Sequence, residues 1–91
     1  IDQNRIVPMI FLGSTMNDKF LKKLGRNISD RRKANQLTQL SLSHATGVDP
    51  SYISRLERGI ANASLDSLLK IAKALNCTVK DLIPDSNNPI D

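Results

Sequence analysis

Between Pro50 and Gly59 the chain reads Pro-Ser-Tyr-Ile-Ser-Arg-Leu-Glu-Arg. Wound as a helix at 100° per residue, Ser51, Ser54, Arg55 and Arg58 fall within about 100° of one another, and Ile53, Leu56 and Glu57 lie opposite. One face is therefore short, polar and basic. A guanidinium offers a planar fork of donors that matches paired acceptors, and the O6 and N7 edge of guanine is one such pair. A solvated surface stripe is the competing meaning. A three-turn segment that is two-thirds polar is too short to be stable alone, and needs a reason to be pinned outward by a neighbour. Presentation to the major groove of a duplex is such a reason.

Other chemistry finds little support. His44 is the only histidine, Glu57 the only glutamate, and no glycine-rich phosphate loop occurs. A Ser-His-Asp arrangement would need His44 to meet partners that no motif places near it. No enzymatic activity, cofactor or metal is expected. The single cysteine, Cys77, excludes an intrachain disulfide and a multi-cysteine zinc site; it reads as a small buried apolar residue and fits a reducing cytoplasm.

Composition narrows the partner. Ninety-one residues suffice for one domain, and 13 Lys and Arg against 9 Asp and Glu give a formal charge of +4, which favours a polyanion. The excess is uneven: Lys19, Lys22, Lys23, Arg26, Arg31, Arg32 and Lys33 face only Asp18 and Asp30 within residues 16–35. The aromatic residues Phe11, Phe20 and Tyr52 provide no row of rings for splayed single-stranded bases, so double-stranded DNA is the better expectation. No apolar run approaches the roughly 20 residues of a membrane helix. No membrane association is expected.

Five helices are expected to position the stripe. Residues 1–17 stand apart: Ile6 to Leu12 is uncharged and lacks a helical period, which fits an edge strand confined by Pro8, an arm that packs on a second chain, or a leader ahead of a start at Met16. From Asp18, Phe20, Leu21, Leu24 and Ile28 recur at helical spacing as far as about Asn35. Thr38 is placed to cap a second helix through Thr46, which Gly47 ends. Asp49 and Pro50 mark the N-cap and first turn of a third helix that runs to Arg58. Ser64 caps a fourth, whose Leu65, Leu68, Leu69, Ile71, Ala72 and Leu75 form a broad apolar face. Thr78 with Asp81 is a capping-box variant that opens a short fifth helix through Ile83, closed by Pro84. Residues 18–84 thus form the domain, with the motif at 38–58 and a frayed tail at 85–91. The expected class is compact all-α.

The pattern Leu37-Thr38-Gln39-x-x-Leu42-Ser43-x-x-x-Gly47-Val48-x-Pro50-Ser51-x-Ile53-Ser54-Arg55-Leu56-Glu57-Arg58-Gly59 closely resembles the Cro and lambda-repressor-like helix-turn-helix family, also called XRE. The resemblance continues through Asn62, Ser64, Leu65, Leu68, Ile71, Ala72, Ala74 and Leu75, and back to Leu24, Gly25, Ile28 and Arg32. It covers roughly residues 20–83. Ser43 stands where alanine is usual, Leu40 where a polar residue is common, Thr46 where an apolar residue often packs, and Pro50 lacks the long amide some phage repressors carry there.

The resemblance implies a regulator that binds double-stranded DNA at specific sequences. Pro50, Ser51, Tyr52, Ser54 and Arg55 would read bases, Arg55 foremost. Thr38, Gln39, Arg58 and Asn62 would meet phosphates; an amide-rich helix end suits an anion in any family. Arg32 and Glu57 would form an interior ion pair with a structural role. Relatives usually bind an inverted repeat as homodimers, and Val79, Leu82 and Ile83 are the candidate dimer contacts, with core burial explaining them almost equally well. The small size suits a Cro-like repressor or a restriction-modification controller protein. The rival is an antitoxin or a protein-binding adaptor on the same fold. An adaptor would not need the outward stripe.

Overall fold

The computed structural model describes the backbone of residues 2–84 and side chains from residue 18 onward. Five helices follow one another: α1 (Asp2–Ala34), α2 (Gln39–Thr46), α3 (Pro50–Arg58), α4 (Leu65–Ala74) and α5 (Val79–Leu82). Among the described residues there is no strand. The helical backbone of α1 continues through Ile6 to Leu12 and past Pro8, so of the three expectations for this segment the edge strand is not formed, while the arm and the leader do not depend on its backbone conformation. An apolar period reports which face is buried, and its absence does not prevent the backbone from coiling; Pro8, the seventh residue of α1, has no amide to donate to the carbonyl four residues back. The expected fraying of residues 85–91 lies outside the described residues.

Each later helix begins on a side chain that accepts from its first turn. Thr38 accepts from the Ser41 amide while Ser41 Oγ accepts from that of Thr38, a closed capping box. Asp49 accepts from Tyr52, Ser64 from Ser67, and Thr78 from Asp81, which completes a second box. Three helix ends share one solution. Gln36, Gly59 and Asn76 adopt φ of 60°, 75° and 57°, and paired bonds close each end: Leu37 to Arg32 O with Gln36 to Lys33 O, Ile60 to Arg55 O with Gly59 to Leu56 O, and Cys77 to Ala72 O with Asn76 to Lys73 O. This is the Schellman arrangement.

Leu24 and Ile28 of α1, Leu42 of α2, Val48 of the turn, Ile53 and Leu56 of α3, Leu68, Ile71, Ala72 and Leu75 of the α4 segment, and Leu82 of α5 form one core. The apolar face of α4 is narrower than expected, because Leu65 and Leu69 are 65% and 54% exposed. Leu82 is fully buried. It is spent on its own core and offers no surface to a second chain. Pro84 is buried behind it.

One contact sets how α1 crosses α3. A Cβ built on Gly25 would lie 2.2 Å from the Leu56 carbonyl oxygen and 2.6 Å from that of Glu57, so the backbones meet with only hydrogen between them. At the far end of α3 a Cβ on Gly59 would meet Lys22 Cα at 2.6 Å. These two glycines let α1 lie along the back of α3, and that pushes the opposite face outward.

Candidate nucleic-acid interface

The outward face of α3 has the composition expected of it. Ile53 and Leu56 are buried, Pro50, Ser51, Arg55 and Arg58 are exposed, and Ser54 and Tyr52 are half-buried. Arg55 extends over the Tyr52 ring, with its guanidinium carbon 6.0 Å from the ring centre. That distance is at the outer limit of a cation–π contact. Arg58 Nε donates weakly to Ser54 O at 3.4 Å, leaving most of its fork for another partner. Ser51 Oγ donates to the Asp49 carboxylate, so its oxygen lone pairs remain as acceptors. That hydroxyl is the first of the bonds holding the Asp49 carboxyl below its usual range.

The turn before α3 is stitched by the residues that depart from the family pattern. Ser43 is buried, and its Oγ donates to Val48 O at 2.6 Å. Thr46 Oγ1 donates to Leu42 O at 2.7 Å and accepts from Val48 N at 3.1 Å. Both hydroxyls therefore fasten Val48, the residue that seats the turn in the core. Leu40, where the resemblance puts a polar residue, is 56% exposed.

The first turn of α2 is exposed at Thr38 and half-buried at Gln39. Because the capping box uses the amides of Thr38 and Ser41, those of Gln39 and Leu40 are the donors the box leaves unfilled. Behind them lies the ion pair. Arg32 Nε and Nη2 donate to Glu57 at 2.6 and 3.0 Å, and Nη1 donates to Leu37 O at 2.7 Å. The side chains are only 10% and 6% exposed. The Glu57 hydrogen bond raises the Arg32 pKa above its ordinary value against the opposing effect of burial. Gln39 Nε2 also donates to Glu57, at 3.0 Å. A single carboxylate thus gathers α1, α2 and α3. The resemblance anticipated the pair, while the Gln39 bond had no signal in the sequence.

Tyr52 has a second attachment that sequence reasoning missed. Its hydroxyl donates to Asn62 O at 2.6 Å and accepts from Ser64 N at 3.3 Å. The ring ties the start of α3 to the loop before α4 and fixes exposed Asn62 beside the α3 face. No spacing rule predicts a bond from the first turn of α3 to a loop residue ten positions on. Val79 and Ile83 are half-buried, unlike Leu82. Cys77 is also half-buried, and burial pushes its thiol pKa up, away from reactivity.

A short helix capped by Thr38, a glycine turn and a second helix held face-out together make a helix-turn-helix unit. Residues 28–82 match the helix-turn-helix family HTH_3, and the chain belongs to that family. It is 37% identical over 60 residues to Control protein C.SmaI of Serratia marcescens, a match covering 66% of this chain and 71% of that protein. Against Control protein C.BamHI of Bacillus amyloliquefaciens it is 40% identical over 53 residues, covering 58% of this chain and 65% of the other. Among solved structures, the restriction-modification controller protein C.AhdI of Aeromonas hydrophila superposes with a TM-score of 0.68 at 38% identity. That likeness covers 69% of this chain and 96% of C.AhdI.

Proposed function

We propose that this protein is a sequence-specific double-stranded DNA-binding transcriptional regulator of the controller-protein kind. The observation that carries this reading is the outward face of α3: Arg55 and Arg58 are exposed above a buried Ile53 and Leu56, on a helix capped at both ends. In the major groove, Arg55 meets the paired acceptors of a guanine, while Pro50, Ser51, Tyr52 and Ser54 line the approach. Thr38, Gln39, Arg58 and Asn62 take phosphates on either side. The Gln39 and Leu40 amides, at the positive end of the α2 dipole, suit one of them. The reading assigns no catalytic step.

One helix of nine residues buries too little to specify a site alone, so the reading includes a two-fold dimer on an inverted repeat with half-sites about 34 Å apart. Val79 and Ile83 of the α5 segment, with exposed Leu65 and Leu69 on the α4 it packs against, are the apolar groups available to that contact. The adaptor reading leaves Arg55 and Arg58 without a task; an antitoxin that also binds DNA would use the same face.

The test is a salt-dependent titration on duplex pools, followed by selection of the preferred site, with wild type and Arg55→Ala. Steep loss of binding with salt and an inverted-repeat site are expected, with Arg55→Ala relaxing preference at one base pair in each half-site by about 1–3 kcal/mol. Weak binding without preference at low salt would sink the reading. Sedimentation of the protein alone and on the selected duplex tests the dimer.

A further inference from the structure

The charge on α1 is not used by the helix-turn-helix face. Lys19, Lys22, Lys23 and Arg26 occupy positions i, i+3, i+4 and i+7 on the side of α1 opposite Leu24 and Ile28, and together they line one shallow depression. Asp18 borders the stripe beside Lys22, and Asp30 lies one turn beyond Arg26. The stripe is continuous with the proposed DNA face. The Lys22 backbone packs against Gly59, the residue after Arg58, and Lys22 shares a second depression with Gly59, Ile60 and Asn62.

We infer that this α1 stripe is a second contact for the phosphate backbone of the same duplex, reached past Asn62 from the end of α3. Lys19 to Arg26 spans about 10 Å of helix, a length over which each strand of a duplex carries about three phosphates. The side chains are long and their partner is a repeating charge, so the contact adds affinity at every sequence and reads none. An anionic lipid surface is the other polyanion of similar chemistry. A membrane-lying helix sets bulky apolar groups beside its basic ones, whereas among the described side chains of α1, from residue 18 on, Leu24 and Ile28 are committed to the core.

The inference rests on the DNA-binding reading, and its test separates the two. The triple variant Lys19→Gln, Lys22→Gln, Arg26→Gln changes three exposed side chains, and its melting curve by circular dichroism should overlay wild type. On the selected duplex extended by a helical turn on both sides, the slope of log affinity against log salt should become shallower by about two to three for each protomer bound, about five for the dimer. Affinity should fall by about tenfold or more, equally on scrambled duplex, with base preference unchanged. A control triple with the same charge change, Lys33→Gln, Lys73→Gln, Lys80→Gln, should leave the slope near wild type.

A stripe variant with the wild-type slope, or a control that lowers it equally, overturns the inference and leaves the α3 reading standing. So does an unchanged DNA slope together with lost binding to phosphatidylserine vesicles, which would assign the stripe to a membrane surface. Failure of the wild type to bind any selected duplex overturns the α3 reading itself.

Discussion

Gln39 Nε2 donates at 3.0 Å to the Glu57 carboxylate that Arg32 also holds, so the first residue of α2 is tied to the middle of the ion pair between α1 and α3. The side chain expected at a phosphate is in part a structural link. It aims the α2 amides and the α3 face as one body, and it leaves the Gln39 backbone amide as the stronger candidate for the anion.

Removing either partner of the pair strands the other. Arg32→Ala leaves a buried carboxylate with only the Gln39 amide, and is expected to destabilise the fold by about 3–5 kcal/mol. Joint replacement by apolar residues, Arg32→Met with Glu57→Leu, is expected to be milder than either single change. Urea denaturation of the three variants checks this, and an additive double variant would count against it.

Gly25→Ala forces a Cβ to within 2.2 Å of a carbonyl oxygen of α3, so α1 must shift away along its length. A loss of about 3 kcal/mol is expected, at the upper end of the range for overpacked cores because the obstructing atoms are backbone. Gly47→Ala meets no atom within 4 Å and carries only the strain of φ 74°, about 1 kcal/mol. Equal melting temperatures for the two would refute the close-packing account.

Tyr52→Phe keeps the ring and removes the bonds to Asn62 and Ser64. About 1 kcal/mol of stability should go, and amide exchange in residues 60–64 should quicken. Were the hydroxyl a DNA contact alone, stability and exchange in the free protein would not change.

The Asp49 carboxyl has its pKa lowered, first by the Ser51 hydroxyl and then by the Tyr52 and Ser51 amides; that of Asp81 is lowered by the Thr78 amide and hydroxyl. Both folded-state values lie below the unfolded ones. Their support is therefore complete above the ordinary carboxylate range and is lost as pH falls through the depressed values. Asp49→Asn retains a capping oxygen that cannot titrate, and should flatten the acid side of the melting-temperature profile relative to wild type. An unchanged profile would remove Asp49 from the acid response.

Local rules carried most of the element boundaries because the signals are local chemistry. Thr38, Asp49, Ser64 and Thr78 cap from their own first turns, Gly47 and Gly59 take the positive φ their positions require, and the apolar spacing of Leu24, Ile28, Leu68, Ile71 and Leu75 picks out the buried faces. The outward stripe of α3 follows from the same arithmetic. What spacing could not separate was rank within an apolar face. Leu65, Leu69 and Leu82 look alike in sequence, yet two stand in solvent and one is sealed, because burial depends on which neighbour covers each side. The helical backbone at Ile6 to Leu12 was hidden for a related reason, since periodicity records burial and not coiling.

The sequence by itself determined the five-helix order, the capped ends and the basic face of α3, all of which depend on residues within about four positions of one another. Only the tertiary structure decided that Gln39 joins Arg32 on Glu57, that Ser43 and Thr46 fasten Val48, that Tyr52 holds Asn62, and that Lys22 brings the charge of α1 beside Gly59. These are side-chain contacts made possible by the close crossing of α1 over α3 and by the path of the loops. A bond between distant residues depends on where whole helices come to rest, and that position is set by the packing of the entire core.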